Sequence, residues 1–170
     1  GQRTLAQRGV AVSHNPLSNM RLGSGVAPVP AMLDRGMMVG LGVDGAASND
    51  TQDMLETFRI AAYLQRALHK RADLLGFGEM LDIACGGANV ALGLPEVIGG
   101  VSVGAPADLT VIRFDRDYAT LPVRDPGSSI LTTGSRSIVD TVVVNGEIVI
   151  ADGRSTRIDE AEFTKELANL

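Results

Sequence analysis

Two short apolar runs, each followed at once by polar residues, constrain the fold of this chain more than any other feature. The first run, 10–12, leads into the polar stretch 13–16, and the second run, 37–43, leads into Asp44. Residues 26–36, between the two runs, place apolar side chains at helical spacing. The order strand, helix, strand predicts a parallel βαβ unit, in which polar residues at the strand ends project into a site.

Asp44 is the first candidate for a functional side chain. A carboxylate directly after a fully apolar strand is costly to bury unless a metal, a cation or backbone N–H groups pair with it. Gly45 allows the backbone to turn sharply there. Two interpretations stay open: a catalytic or metal-binding carboxylate, or one that caps the next turn. At the end of the first strand, His14 or Asn15 faces the mouth of a site, or His14 caps a loop carbonyl.

The segment after the first strand is predicted to be a loop. Residues 17–25 are rich in Ser, Asn and Gly, and Pro16 ends the strand pairing because it lacks a backbone donor. Ser18 and Asn19 can hold such a loop through bonds between side chain and backbone. That structural role is favoured over contact with a substrate.

Helical periodicity dominates the middle of the chain. Apolar spacing predicts helices over 51–69 and 78–92, the first capped by one of residues 48–50. Gly86-Gly87 inside the second helix indicates either close packing against a neighbour or a break between two helices.

Strands and turns follow the helices. The pattern predicts a strand over 108–112, a loop-rich segment over 113–137 and a short polar helix over 159–170. Residues 139–150 form two β-branched runs around Asn145-Gly146, which is the strongest short signal for a β-hairpin.

Composition narrows the class of protein. The chain has 170 residues, of which 45% are hydrophobic and 21% charged, so a packed core is expected. The net charge of −5 argues against nucleic-acid binding, which needs a basic face. No apolar run approaches the ~18 residues of a membrane span, and the single cysteine, Cys85, excludes an intrachain disulfide. A cytoplasmic protein is the simplest interpretation.

Several segments together closely resemble the C-terminal part of metal-dependent amidohydrolases. The similar branch includes deaminases of methylthioadenosine and S-adenosylhomocysteine, 8-oxoguanine deaminases and triazine hydrolases. The segments that carry the resemblance are SHNPLSNMRLGSGVAPVPAMLDRGM, VGLGVDGAASND, MLETFRIAAYLQRAL, IACGGANVALGL, IGGVSVGAPADLTVI and VVVNGEIVIADGRST. They cover nearly the whole chain, and the paired strand-end motifs are specific.

The resemblance implies an α/β fold in two parts. Residues 1–97 would be the C-terminal portion of a (β/α)8 TIM barrel, with its last two β/α units. Residues 98–170 would be part of a small β-sandwich domain with a C-terminal helix. Such a barrel needs roughly 250 residues, and the chain has only two histidines and no HxH motif. We therefore expect a missing N-terminal portion of the same enzyme to carry the other metal ligands.

The resemblance also implies a chemistry and a set of site residues. The complete enzyme would deaminate an aminopurine-like or related nitrogen heterocycle, hydrolysing a non-peptide C–N bond with a metal-activated water. Asp44 matches the metal ligand and proton acceptor of the family, and His14, Asn15 and Ser48 match positions near the substrate. The metal is expected to be zinc, with iron as the alternative. A bound divalent metal lowers the pKa of water, and a carboxylate beside that water can carry its proton.

Other outcomes remain open at this stage. The chain alone should be catalytically incomplete, since one carboxylate cannot hold zinc. It could be an inactive fragment that serves as a structural or binding module, and the substrate could be a triazine. Absent barrel strands would leave open sheet edges, which invite association with another chain. We therefore expect a homo-oligomer or a complex with the N-terminal portion, with one face of the strand residues exposed in the isolated chain. The residues of that face are Val10, Val12, Val39, Leu41 and Val43.

Overall fold

A computed structural model describes residues 1–94 and 100–168 of the chain. The elements, in chain order, are α1 (Gln2–Gln7), β1 (Val12–His14), α2 (Pro16–Arg21), α3 (Val29–Leu33), β2 (Val39–Leu41), α4 (Met54–His69), α5 (Phe77–Leu81), a π-helical segment (Asp82–Gly87), α6 (Ala88–Ala91), β3 (Leu109–Ile112), α7 (Pro126–Thr133), β4 (Val139–Val144), β5 (Glu147–Ala151), β6 (Arg154–Ser155) and α8 (Glu160–Leu167). Short 3₁₀ turns occupy Phe114–Arg116, Tyr118–Thr120 and Arg136–Ile138.

The predicted parallel unit is confirmed. β1 and β2 pair in parallel, with Val12 opposite Val39 and His14 opposite Leu41. β1 is as long as its apolar run but starts two residues later, so that His14 is its last residue, and β2 is shorter than its apolar run. The polar residues that follow the two strands therefore meet at one end of this pair.

The connection between the two strands differs from the prediction. α2 begins directly after β1, where the sequence predicted a loop, because Pro16 sits at the first helical position, which favours proline. α3 is limited to Val29–Leu33, shorter than the predicted helix. The Ser- and Asn-rich segment is thus partly helical, and this fixes the direction of its side chains.

α4 starts later than predicted, and its cap is another residue. Asp53 accepts hydrogen bonds from the N–H groups of Leu55 and Glu56 at 2.9 and 3.2 Å, so none of residues 48–50 caps the helix. The second carboxylate oxygen of Asp53 accepts a hydrogen bond from the N–H of Arg136 at 3.3 Å. One carboxylate therefore begins α4 and contacts the second half of the chain.

One face of the strand pair packs against the helices. Val39 and Leu41 are only 2% and 4% exposed and pack with residues of α4, α5 and the π-helical segment. The expectation that this face would be exposed is wrong for both residues, because α4 and its successors already cover it. Val10 is exposed, whereas Val12 and Val43 are partly buried.

The glycine pair in the second helix marks a close backbone contact. The helical path runs from Phe77 to Ala91 through a π-helical segment rather than breaking. A Cβ atom on Gly87 would lie 1.9 Å from the carbonyl oxygen of Val39, and one on Gly40 would lie 2.7 Å from the Cα of Ala88. The close-packing interpretation is confirmed, because only glycines allow these backbones to approach.

An antiparallel sheet follows, in the order β3-β4-β5-β6. The predicted hairpin is confirmed: Asn145 and Gly146 connect β4 and β5 with φ of 48° and 82°. The segment 113–137 contains α7, a helix that the sequence did not predict. The side chain of Asp125 caps α7 by accepting from the N–H of Ser128 at 2.5 Å.

The architecture is therefore mixed α/β, with a parallel strand pair under helices and a separate antiparallel sheet. The predicted boundary between residues 97 and 98 lies outside the described residues. Arg59 on α4 donates to the carbonyl of Gly134 at 2.9 Å and so joins the two regions. Within the described residues, no helix is long and apolar enough to cross a membrane.

Candidate functional site

Asp44 lies three residues beyond β2, on an exposed turn. Its φ of 65° falls in the left-handed region, which Asp and Asn enter more readily than most other residues. The residue is exposed, and its carboxylate lies beyond the end of the strand pair.

Three donors hold this carboxylate. The hydroxyl of Ser18 donates to Oδ2 at 2.5 Å and that of Ser48 donates to the same oxygen at 2.7 Å. The backbone N–H of Gly45 donates to Oδ1 at 2.8 Å. The local-capping interpretation is thus correct in part, because Asp44 fixes its own turn, but Ser18 comes from α2, on the other side of the strand pair's end.

These donors set the charge of the group. The hydroxyl of Ser18, then that of Ser48, then the N–H of Gly45 lower the pKa of Asp44 below its ordinary value, and slight desolvation opposes them. Hydrogen bonds to the charged form of a carboxylate favour that form. Asp44 is accordingly ionised at neutral pH and presents a negative charge at the strand end.

Ser18 is the site residue that sequence reasoning missed. The sequence favoured a role in holding a loop through backbone bonds, whereas its buried side chain, 2% exposed, reaches Asp44. It lies in the first turn of α2, directly beyond β1. The signal was available in the parallel pairing itself, since a polar residue one turn past β1 must lie near the residues that follow β2.

Ser48 was predicted to lie near a substrate, and the structure places its hydroxyl on Asp44. The same hydroxyl is also 3.1 Å from the carbonyl oxygen of Gly45, so its single proton is shared between two acceptors. The structure therefore brings Ser48 and Asp44 together, a contact that the sequence analysis did not predict. The contact of Ser48 with a substrate stays a prediction.

Asn15 follows β1 directly and is partly buried. The hydroxyl of Ser13 donates to its Oδ1 at 3.1 Å. A Cβ atom on Gly42 would lie 2.3 Å from that oxygen. Glycine at 42 therefore makes room for the Asn15 side chain, which stays a candidate for substrate contact.

His14 faces the opposite way from Asn15. It is 3% exposed and pairs in register with Leu41 on the face that packs against the helices. Within the described residues, neither ring nitrogen has a hydrogen-bond partner, so the alternative in which His14 caps a loop carbonyl is wrong. Burial lowers the pKa of His14 to about 4, and the ring is neutral at pH 7.

Further contacts tie the two strand-end loops together. Arg21 at the end of α2 forms an ion pair with Asp50 at 2.6 Å and donates to the carbonyl of Ala47 at 3.3 Å. The buried amide of Asn49 donates to the carbonyl of Val43 at 2.8 Å. The loop that carries Asp44 is therefore restrained at both ends.

The described residues do not form a complete metal site. No group of three or more His, Cys, Asp or Glu side chains among residues 1–94 and 100–168 is arranged to hold a metal ion. Asp44 fits as a single ligand, because it is ionised, exposed and held by neutral donors. A zinc site needs three or four ligands, so this chain provides at most one of them from the residues described.

Comparison with known proteins gives a consistent match. The model of the amidohydrolase family matches residues 2–149. A 5-methylthioadenosine/S-adenosylhomocysteine deaminase from Desulforudis audaxviator is 40% identical over 164 residues, which are 96% of this chain and 38% of that protein. A 5′-deoxyadenosine deaminase from Methanopyrus kandleri is 42% identical over 159 residues, which are 94% of this chain and 36% of that protein.

Solved structures agree with these sequences. A zinc-bound adenosine deaminase from Xanthomonas campestris superposes with a TM-score of 0.91 at 30% identity, covering 99% of this chain and 38% of that one. A zinc-bound atrazine chlorohydrolase from Arthrobacter aurescens gives a TM-score of 0.89 at 30% identity, with coverage of 99% and 37%. The chain thus spans less than two fifths of the proteins that it matches.

Proposed function

Because the chain belongs to the amidohydrolase family, we propose that it is part of a metal-dependent hydrolase that deaminates an adenosine-like or related nitrogen heterocycle. The observation that carries this proposal is the strand-end carboxylate Asp44, exposed and held ionised by Ser18, Ser48 and Gly45. Several relatives are named as deaminases of adenosine derivatives, and this supports adenosine-like substrates over triazines.

We place the two halves of the chain in the complete enzyme as follows. Residues 1–97 form the last two β/α units of a (β/α)8 barrel, and residues 98–170 form one part of a small β-sandwich. The polar ends of β1 and β2 then lie at the barrel face where active sites of this fold occur. The remaining strands and metal ligands come from sequence outside the 170 residues.

The proposed roles follow from the geometry of each side chain. Asp44 accepts a proton from water as the oxygen bonds to the ring carbon, and returns it to the amino nitrogen as the C–N bond breaks and ammonia leaves. The hydrogen bonds that it accepts make Asp44 a weaker base. Its second role is therefore to present a negative charge to a bound cation. The side-chain amide of Asn15 forms a hydrogen bond with the substrate. The hydroxyl of Ser48 donates to the carboxylate of Asp44.

Zinc is the metal we favour, since the matched structures contain it. When bound, a divalent metal lowers the pKa of water to near neutrality. In this chain Asp44 would hold it, with Oδ1 as the freer oxygen because both hydroxyls donate to Oδ2. His14 is excluded as a ligand here by its position, since its ring is buried on the face that packs against the helices.

A direct test is ammonia release by the complete enzyme, expressed with the natural sequence that precedes residue 1. The panel is 5′-methylthioadenosine, S-adenosylhomocysteine, 5′-deoxyadenosine, adenosine and atrazine, with metal content measured on the same preparation. We expect deamination of the adenosine-like compounds with bound zinc. Dechlorination of atrazine without deamination, or no turnover of any compound by a metal-loaded preparation, would overturn the proposal.

The 170-residue chain alone is the matched control. It should release no ammonia, because it offers one metal ligand from the described residues. Turnover by the isolated chain would show that it holds a complete site. An inactive complete enzyme that still binds heterocycles would instead favour the binding-module alternative.

A further inference from the structure

We propose that Ser18 is a positioning residue for the reaction: its hydroxyl holds Oδ2 of Asp44 and leaves Oδ1 as the oxygen available to the metal and the water. This inference rests on the proposed function, and it assigns a role to a residue that contacts neither substrate nor metal. It starts from the hydrogen bond of 2.5 Å between α2 and the turn after β2.

Of the three donors to Asp44, Ser18 is the one best placed to orient the carboxylate. Ser18 is 2% exposed, and within the described chain its hydroxyl has Asp44 as its acceptor. Ser48 shares its proton between Asp44 and the carbonyl of Gly45, and Gly45 is the next residue along the chain. Among the described donors, Ser18 alone therefore connects the carboxylate to the segment that follows β1, 26 residues away.

The scaffold around Ser18 is arranged to keep this bond. Its helix starts at Pro16, directly after β1, and ends at Arg21, which pairs with Asp50 and contacts Ala47. The helix is thus attached on both sides of Ser18. A hydroxyl on such a support has a fixed direction, which is what a partner that orients a metal ligand requires.

The hydrogen bonds also divide the two oxygens of Asp44. Oδ2 accepts from two hydroxyls, whereas Oδ1 accepts from one N–H within its own turn. A carboxylate oxygen has two lone pairs, so Oδ2 is filled and Oδ1 keeps one free. Loss of Ser18 would free Oδ2 and allow the carboxylate to rotate.

The test uses the complete enzyme, loaded with Co²⁺, in three forms: unchanged, Ser18→Ala and Ser18→Thr. Loss of a residue that orients a metal ligand typically costs 10- to 100-fold in metal affinity or activity. We expect Ser18→Ala to lower kcat by about 10- to 100-fold with little change in KM. We also expect it to weaken Co²⁺ retention against a chelator and to alter the visible spectrum of the bound Co²⁺.

Two further variants keep the result interpretable. Ser18→Thr retains the hydroxyl and should restore the Co²⁺ spectrum, even where its extra methyl group lowers stability. Ser48→Ala, which tests the shared donor, should have a smaller effect than Ser18→Ala. Thr120→Val is the matched control, because it removes another buried hydroxyl whose acceptors are the carbonyls of Phe114 and Asp117 in the second region.

The outcomes separate this inference from the proposed function. If the unchanged enzyme is active and Ser18→Ala keeps its kcat, Co²⁺ affinity and spectrum, the positioning role is wrong and the proposed function stands. The role is also wrong if Thr120→Val produces the same losses, or if Ser18→Thr behaves like Ser18→Ala while both remain folded. If the unchanged enzyme deaminates nothing, the proposed function fails and this inference fails with it.

Discussion

The parallel half of the molecule, residues 1–94, and the antiparallel half, residues 100–168, are stabilised in different ways. Most of the buried hydrophobic side chains belong to the first half, whereas Leu131 and Ile138 are those found in the described part of the second. The sheet of the second half also leaves Leu109, Val111 and Ile148 between 37% and 51% exposed. The sheet of the second half is therefore less covered than the strand pair of the first.

The two halves also differ in how their carboxylates are held. In the second half guanidinium groups face them: Arg113 pairs with Asp115, and Arg116 pairs with Asp140 and Asp152. In the first half neutral donors hold the carboxylate of Asp44, and one of them is the hydroxyl of Ser18 in α2. The candidate site therefore lies where the segments that follow β1 and β2 meet.

Turnover should be far more sensitive to substitution of Asp44, in the first half, than to substitution of a carboxylate in the second half. Asp44→Asn keeps the shape and suits the left-handed backbone, but removes the negative charge and the proton acceptor. Turnover by the complete enzyme should fall by about 10²- to 10⁴-fold, the usual scale for loss of general acid–base catalysis. Steady-state ammonia release measures this. Asp115→Asn, an exposed carboxylate of the second half, is the control and should have no effect; near-normal turnover by a metal-loaded Asp44→Asn enzyme would refute the assignment.

His14 should make the first half sensitive to acid. Burial lowers the pKa of His14 from 6.5 to about 4. As the pH falls from 6.5 to 4, His14 therefore takes up a proton in the unfolded chain while it stays neutral in the folded one. The stabilisation from a neutral His14 is complete above pH 6.5 and is lost as the pH falls towards 4, by about 3 kcal/mol in total. Urea unfolding of the purified protein at several pH values should therefore show a steeper decline than in His14→Leu.

The control for that experiment is His69→Gln. His69 is the second of the two histidines in the chain and lies exposed at the end of α4. This variant should follow the unchanged protein. Equal pH dependence in the unchanged protein and His14→Leu would show that the ring gains a partner or solvent in solution.

A pair of neighbouring glycines tests the close packing of the first half. Gly87→Ala places a Cβ against the carbonyl of Val39 and should destabilise by about 1–3 kcal/mol, the usual cost of overpacking. Gly86→Ala meets no atom within 4 Å and should be neutral or stabilising, because alanine is the better helix former. Chemical denaturation distinguishes them, and equal midpoints for the two variants would contradict the observed contact.

The hairpin gives the smallest expected effect, confined to the second half. Gly146→Val puts a β-branched residue at φ 82° and should cost more than about 1 kcal/mol. Asn145→Gly introduces a residue that adopts the positive φ of 48° without strain, so the melting temperature should change little. Thermal unfolding reports both, and an unchanged melting temperature in Gly146→Val would mean that the turn tolerates another conformation.

Much of the second half could be predicted from the sequence because its signals are local. The hairpin at Asn145-Gly146 is fixed by turn chemistry within two residues, and the strand over Leu109–Ile112 follows from β-branched composition. α7 was missed because its helix signal is weak between Pro126 and Gly134, and depends on the cap from Asp125.

The first half was predictable in outline but not in its contacts. The parallel pair and Asp44 follow from apolar runs that end in polar residues. The role of Ser18 does not, because it depends on α2 starting at Pro16 and on which strand end lies beside it. The orientation of His14 depends on strand register, since a shift of one residue would exchange the faces of His14 and Asn15.

Asp53 has a consequence for how the molecule unfolds. One of its oxygens caps α4 and the other accepts from the N–H of Arg136, while Arg59, six residues later, donates to the carbonyl of Gly134. We therefore expect separation of the two halves to weaken the first turn of α4, and fraying of that turn to weaken the contact with the second half. In native-state hydrogen exchange the amides of Leu55, Glu56 and Arg136 should open together, although they lie in different halves of the chain.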